Sequence, residues 1–175
     1  MELYDDPWTD TPGTVRKGYD AAQVCLNGHL ITTFVHTQPE YNKKFCSDCG
    51  AQTMSACKKC NAEIHGHYYE PGVVDLTSPG PPPSFCHNCG NPYPWTEHRL
   101  KAAQEVANAA DQLSEPEKIQ LKESVEELIH NKPGAPGAII KYKKLAAKAG
   151  KQVADGLKSI LVEVLSEAIK KQMWP

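Results

Sequence analysis

No apolar run in this chain approaches the length of a membrane span, so a soluble protein is expected. The N-terminus, Met1-Glu2-Leu3-Tyr4-Asp5-Asp6, is acidic and lacks the apolar stretch of a secretory signal. That points to the cytoplasm and removes the oxidising compartment a disulfide framework would need. Also missing is any nucleophile–base motif beside His36, His65, His67, His87, His98 and His130, so the expectation is a protein that is not an enzyme. Net charge is small, −2 over 175 residues, but it hides a division along the chain. Residues 1–95 carry six Lys/Arg against ten Asp/Glu, residues 96–131 four against eight, and residues 132–175 nine against three. Only the last quarter is basic.

What is present is a set of metal-ligand residues in four pairs: Cys25-x3-His29, Cys46-x2-Cys49, Cys57-x2-Cys60 and Cys86-x2-Cys89. Tetrahedral Zn²⁺ takes four sulfur or nitrogen donors, and a two-residue spacer lets both thiolates of one tight turn face the same ion. Seven cysteines plus His29 make two complete quartets. Each Cys-x-x-Cys is followed by a residue that tolerates a left-handed backbone, Gly50, Asn61 or Gly90, and Asn27-Gly28 supplies the turn in the first pair. A thioredoxin-like redox pair would open a helix in a βαβ context, whereas Pro, Gly and short β-prone runs surround these pairs. An iron–sulfur cluster would also use thiolates, but His29 favours zinc in the first quartet.

An internal repeat orders the pairs. Phe45-Cys46-Ser47-Asp48-Cys49-Gly50 recurs as Phe85-Cys86-His87-Asn88-Cys89-Gly90, each where the closing knuckle of a zinc ribbon would stand. Sequential pairing puts Cys25, His29, Cys46 and Cys49 on one ion and Cys57, Cys60, Cys86 and Cys89 on the other. The competing cross-brace would join pairs one and three, and two and four; local hairpin closure favours the sequential arrangement. Leu30 to Val35 is β-prone, with a turn at Gln38-Pro39 and a return over Tyr41 to Phe45, which predicts a hairpin between two knuckles. A longer excursion runs from Ile64 to Tyr69, through Pro71-Gly72 and Val73 to Leu76, into a loop over Ser78-Pro79-Gly80-Pro81-Pro82-Pro83. So much Pro, Gly and polar sequence offers too little apolar area for two small folds. Structural zinc, worth about 10–16 kcal/mol in small modules, would supply the missing stability.

These motifs resemble a bacterial family of uncharacterised double zinc-ribbon proteins, a domain of unknown function. The resemblance covers about residues 18–105 and rests on Gly18-Tyr19, Val24-Cys25-Leu26-Asn27-Gly28-His29, Phe45 to Gly50, Cys57-Lys58-Lys59-Cys60 and Cys86 to Gly90. It implies a bacterial, intracellular zinc protein and carries no activity; the helical tail lies largely outside it.

After Pro94-Trp95 the pattern turns helical. Thr96 caps a predicted helix to about Leu113, Ser114-Glu115-Pro116-Glu117 is a capping box for a second to about His130, and Pro136-Gly137 opens a third that Gly150 either breaks or is tolerated within. The last segment places Val153, Leu157, Ile160, Leu161, Val164, Leu165, Ala168 and Ile169 on one face. The expected architecture is α+β: an extended arm over 1–20, tandem zinc ribbons over 21–95 and an α-helical module over 96–175. The expected function is a zinc-binding interaction or adaptor protein, its partner another protein or a second copy met through the C-terminal helices. Nucleic acid is the alternative partner, supported by Lys43-Lys44, Lys58-Lys59 and the run Lys141-Tyr142-Lys143-Lys144 with Lys148 and Lys151, and opposed by the acidic ribbon region. A membrane surface met by residues 156–174 is the third reading, less favoured because Glu163 and Glu167 oppose anionic lipid.

Overall fold

A computed structural model describes residues 17–70, 73, 79–130 and 135–174. The chain divides into two compact units between Trp95 and Thr96, with short antiparallel strands in the first and helices after it, a mixed α+β fold. Residues 1–16 of the expected arm, the Pro71-Gly72 turn, the Val74–Leu76 stretch and the Asn131 to Gly134 helix stop lie outside the described residues.

In the first unit β1 (Gly18–Ala21) pairs with β5 (His65–Tyr69), and β2 (Gln23–Cys25) lies between β3 (Leu30–Thr32) and β4 (Thr53–Met54). Two expectations need correction. Residues 18–20, grouped with the arm for want of periodicity, form most of β1, with Gly18 opposite Tyr69 and Tyr19 opposite Tyr68. The run after His29 does not pair with residues 41–45 either. It folds back on β2, Gln23 opposite Thr32, so the hairpin closes around the first ligand pair rather than between two pairs. Asp20 is the physical reason. Its carboxylate is 4% exposed and accepts from the backbone N–H groups of His36 (3.0 Å) and Thr37 (3.2 Å) and from the Thr37 hydroxyl (2.7 Å). Those bonds turn the chain just after Val35, and Pro39–Tyr41 becomes a single 3₁₀ turn.

Gly66 is where β5 passes closest to its neighbours. A Cβ there would lie 2.3 Å from the Thr33 carbonyl oxygen and 2.6 Å from the Ala21 backbone, so only glycine fits. The apolar core of this unit is small: Ala22, Val24 and Ile64, the Tyr93–Trp95 stack at 4.7 Å, and cysteines of the last two ligand pairs. Trp95 donates its indole N–H to the Pro83 carbonyl at 3.0 Å, which fixes the end of the proline-rich loop against that core.

Five helices follow: α1 (Pro94–Asn108), α2 (Glu115–Ile129), α3 (Ala135–Ala149), α4 (Lys151–Leu161) and α5 (Glu167–Met173). Helix α1 starts two residues before Thr96, because Pro94 fits a first helical turn, where a missing N–H costs nothing. Helix α3 packs against α2, α4 and α5. Gly150, at φ +94°, ends the α3 run and starts α4. The terminal segment is two helices rather than one continuous amphipathic helix. Ser166 adopts an extended backbone and its hydroxyl accepts from the Ile169 N–H, capping α5 after a turn over residues 162–165. The break lets Leu157, Leu161, Val164, Leu165 and Ile169 all be buried, while Ala168, expected on the same face, is exposed. Among the described residues no helix is long and apolar enough to cross a membrane.

The α2 capping box also reaches α3. The Glu117 carboxylate accepts from the Ser114 backbone N–H (3.0 Å) and hydroxyl (2.9 Å), and Lys148 donates to its other oxygen at 2.6 Å. Lys148, then the Ser114 groups, draw the Glu117 carboxyl from 4.5 down to about 2. A depressed carboxyl stabilises the fold above its ordinary value, and that contribution fades as pH falls toward the folded value. Glu117→Gln is therefore expected to lower the melting temperature at pH 7, with the gap from the native chain closing between pH 4.5 and about 2; a gap independent of pH would contradict the assignment. Burial makes a second expectation. Leu161 is 0% exposed, so Leu161→Asp should cost the helical unit about 3 kcal/mol or more, whereas Ala168→Asp should stay within about 0.5 kcal/mol, as thermal melting followed by circular dichroism will read.

Candidate metal centres

Each Cys-x-x-Cys pair sits in a turn held by the same two backbone bonds. In the second pair Cys46 N–H donates to the Ala51 carbonyl at 2.8 Å and Gly50 N–H returns to the Cys46 carbonyl at 2.9 Å. The third repeats this with Cys57, Ala62 and Asn61, and the fourth with Cys86, Asn91 and Gly90. Single bridges close the loops: Phe45 opposite Gln52, Ala56 opposite Glu63, and Phe85 opposite Pro92. The six-residue repeat seen in the sequence is therefore a threefold local structure. The backbone after each turn is left-handed, at φ +68° for Gly50, +59° for Asn61 and +68° for Gly90, with Gly28 at +89° in the first pair. In that first pair Cys25 ends β2, His29 precedes β3, and Cys25 N–H donates to the His29 carbonyl at 2.9 Å.

These turns bring the eight side chains together in two sets. The donor atoms of Cys25, His29, Cys46 and Cys49 lie within 4.8 Å of one another, and so do those of Cys57, Cys60, Cys86 and Cys89. The grouping is sequential; the cross-brace sets are not brought together. Within the first set Cys25 and Cys49 Sγ are 3.8 Å apart, and Cys46 Sγ is 3.6 Å from His29 Nδ1. Within the second, Cys57 and Cys89 Sγ are 3.8 Å apart, and Cys60 and Cys86 Sγ 3.6 Å. A tetrahedral ion with Zn–S and Zn–N bonds of ordinary length has edges of about 3.8 Å between sulfurs and about 3.6 Å between sulfur and nitrogen. A disulfide would need about 2.05 Å. The two clusters thus fit tetrahedral metal binding and are consistent with zinc.

The surroundings of three of the cysteines favour thiolate, the form a metal takes. The backbone N–H of Cys89, ahead of that of Asn88, draws the Cys86 thiol down to about 6. The Asn91 side-chain amide, 3.3 Å from Cys89 Sγ, lowers that thiol, and the Ala51 N–H lowers Cys49, with Asn27 Nδ2 adding a contact at 3.4 Å. Cys25 moves the other way because it is buried, although His29 N–H donates to its sulfur at 3.2 Å. Beside the second set, burial and then the negative charge at Cys86 push the Tyr93 hydroxyl up.

The remaining histidines do not assemble a third centre among the described residues. His65 stacks between Tyr19 (4.2 Å) and His87 (3.8 Å), His67 lies against Phe34 (4.9 Å), and His36 Nε2 meets Glu63 at 2.9 Å. His65-Gly66-His67 therefore serves packing rather than chelation. The residues that sequence reasoning missed are the supports, Asp20, Tyr93 and Trp95. Of these Tyr93 and Trp95, each next to a proline and at a change of composition, carried a local signal, and Asp20 carried none.

No curated protein and no solved structure matches the chain. The chain belongs to the family described as an uncharacterised protein conserved in bacteria (DUF2321), whose family model matches residues 18–173 and so takes in the helical unit that the motif resemblance left largely outside.

Proposed function

We propose that each cluster holds one structural Zn²⁺, making the first unit a pair of zinc ribbons, and that the protein is a non-enzymatic interaction module. The observation that carries this reading is the closure of both donor sets. Four protein donors within 4.8 Å leave no coordination position for a reacting water, which is the condition for a structural rather than a catalytic zinc. What the ribbons then offer is a rigid surface. Tyr19 (49% exposed) is fixed between His65 and Tyr68, so an aromatic column stands ordered before any partner arrives. Pre-ordered exposed aromatics suit recognition of a protein surface, because little side-chain entropy remains to be lost. The helical unit buries most of its expected apolar face, which leaves Ile119, Ile140 and Val162 as exposed aliphatics for assembly among its described residues.

Nucleic acid is the second reading, favoured by one feature. Phe45 is 54% exposed with Lys44 Nζ 5.8 Å from its ring centroid, a pairing that could stack a base and meet a phosphate. The basic run of the helices supports it less, since Lys143 donates to the Gln172 carbonyl and Lys148 is paired with Glu117.

Metal analysis of the native chain, purified without chelator, is expected to give two zinc ions, and Cys46→Ser one; fewer than two in the native protein would overturn the zinc reading. Binding to DNA or RNA is expected to be absent at physiological salt. A salt-sensitive complex of about micromolar affinity or tighter that is lost in Lys43→Glu/Lys44→Glu would instead put the nucleic-acid reading first.

A further inference from the structure

We propose that Cys49 is a peroxide-reactive modification site, through which the first cluster gives up its metal while the second keeps it. The proposal rests on the reading of both clusters as zinc centres. Three differences between the clusters point the same way. His29 and Cys49 are exposed, whereas in the second cluster Cys57 and Cys86 are buried and Cys60 and Cys89 half-buried. All four second-cluster cysteines pack into or against the core of Val24, Ile64, Tyr93 and Trp95, and the first cluster's donors lie outside it. The first cluster has three sulfurs and an imidazole rather than four sulfurs, so oxidation of two cysteines leaves it one sulfur and the neutral His29 ring, where the second would keep two sulfurs.

The geometry supplies an attacking sulfur and a resolving one. Cys49 Sγ is open to solvent, and the Asn27 amide at 3.4 Å stabilises its thiolate. Hydrogen peroxide would be attacked by that sulfur, forming an S–O bond as the O–O bond breaks and hydroxide leaves. Cys25 Sγ is buried, out of reach of peroxide but 3.8 Å from Cys49 Sγ. It would then attack the Cys49 sulfur, forming the S–S bond and expelling a second hydroxide. Two thiolates lose two electrons, the peroxide gains them, and two protons from solvent convert both hydroxides to water. In the second cluster no sulfur is equally exposed, so the same reaction lacks its first step.

The test uses the full chain loaded with zinc. On treatment with hydrogen peroxide in the presence of a chromophoric zinc chelator, one of the two ions should be released on the order of tenfold faster than the other. Peptide mapping at that point should find Cys25 joined to Cys49, and a thiol reductant with added Zn²⁺ should restore both ions. Cys49→His keeps four donors and removes the nucleophile, so it should still hold two ions and lose the fast release. Simultaneous release of both ions, a first disulfide among Cys57, Cys60, Cys86 and Cys89, or fast release retained in Cys49→His would each overturn the proposal. If Cys49→His fails to load, the disulfide map of the native chain decides alone. A native chain that holds fewer than two zinc ions before peroxide is added would instead bring down the zinc reading itself.

Discussion

Two sets of four sulfur or nitrogen donors, each held within 4.8 Å, are the constraint around which the turns of the first unit are arranged. Thiolates 3.6–3.8 Å apart repel until a counter-charge is supplied. The fold contributes what it can, directing backbone and side-chain amides at the sulfurs of Cys49, Cys86 and Cys89. Partial positive charges of this kind hold the thiolates in place without neutralising them. A divalent ion would complete the balance, and its binding free energy would become folding free energy for strands of two to five residues that could not persist alone.

The same constraint explains what was legible in the sequence. Ligand identity and the left-handed residues behind each turn are local matters, settled within six residues, so Gly50, Asn61 and Gly90 could be assigned their backbone role without knowing the fold. The helix caps at Ser114 and the break at Gly150 are local for the same reason. Strand pairing is different. Whether Leu30–Thr32 returns to residues 41–45 or to β2 depends on Asp20, ten residues upstream, whose carboxylate accepts from His36 and Thr37. A lone aspartate among polar residues carries no pattern that reveals a long-range partner. The terminal break had a signal in Ser166, a good N-cap, but an unbroken apolar periodicity over residues 153–169 outweighed it.

The two clusters share one turn geometry but differ in how the surrounding chain uses them. Around the second, the sulfurs stand where aliphatic side chains would stand in a larger domain, against Tyr93, Trp95 and Ile64. Removing the metal there would leave crowded, partly ionised sulfurs inside the apolar core, where an unpaired charge is costly. Around the first, His29 and Cys49 already face solvent, so water can compensate for a lost ion. On the zinc reading proposed above, a ribbon pair built this way would have one centre that could not be emptied without disturbing its core and one that could.

Metal-based stability also changes what the aromatic residues are free to do. In a domain of this size held together by apolar burial alone, Tyr and Phe would be drawn inside, since each buries a large area. Here only Tyr93 and Trp95 among the first unit's described aromatics are fully buried, and Tyr19, Tyr41, Phe45 and Tyr68 stand in solvent. Stacking on His65, which itself stacks on His87, orders the Tyr19 ring, and His87 lies between Cys86 and Cys89 in the sequence. The second cluster therefore positions an exposed aromatic column through one side chain of its own turn. On the proposed reading, that would be a direct physical route from metal coordination to a surface offered to a partner.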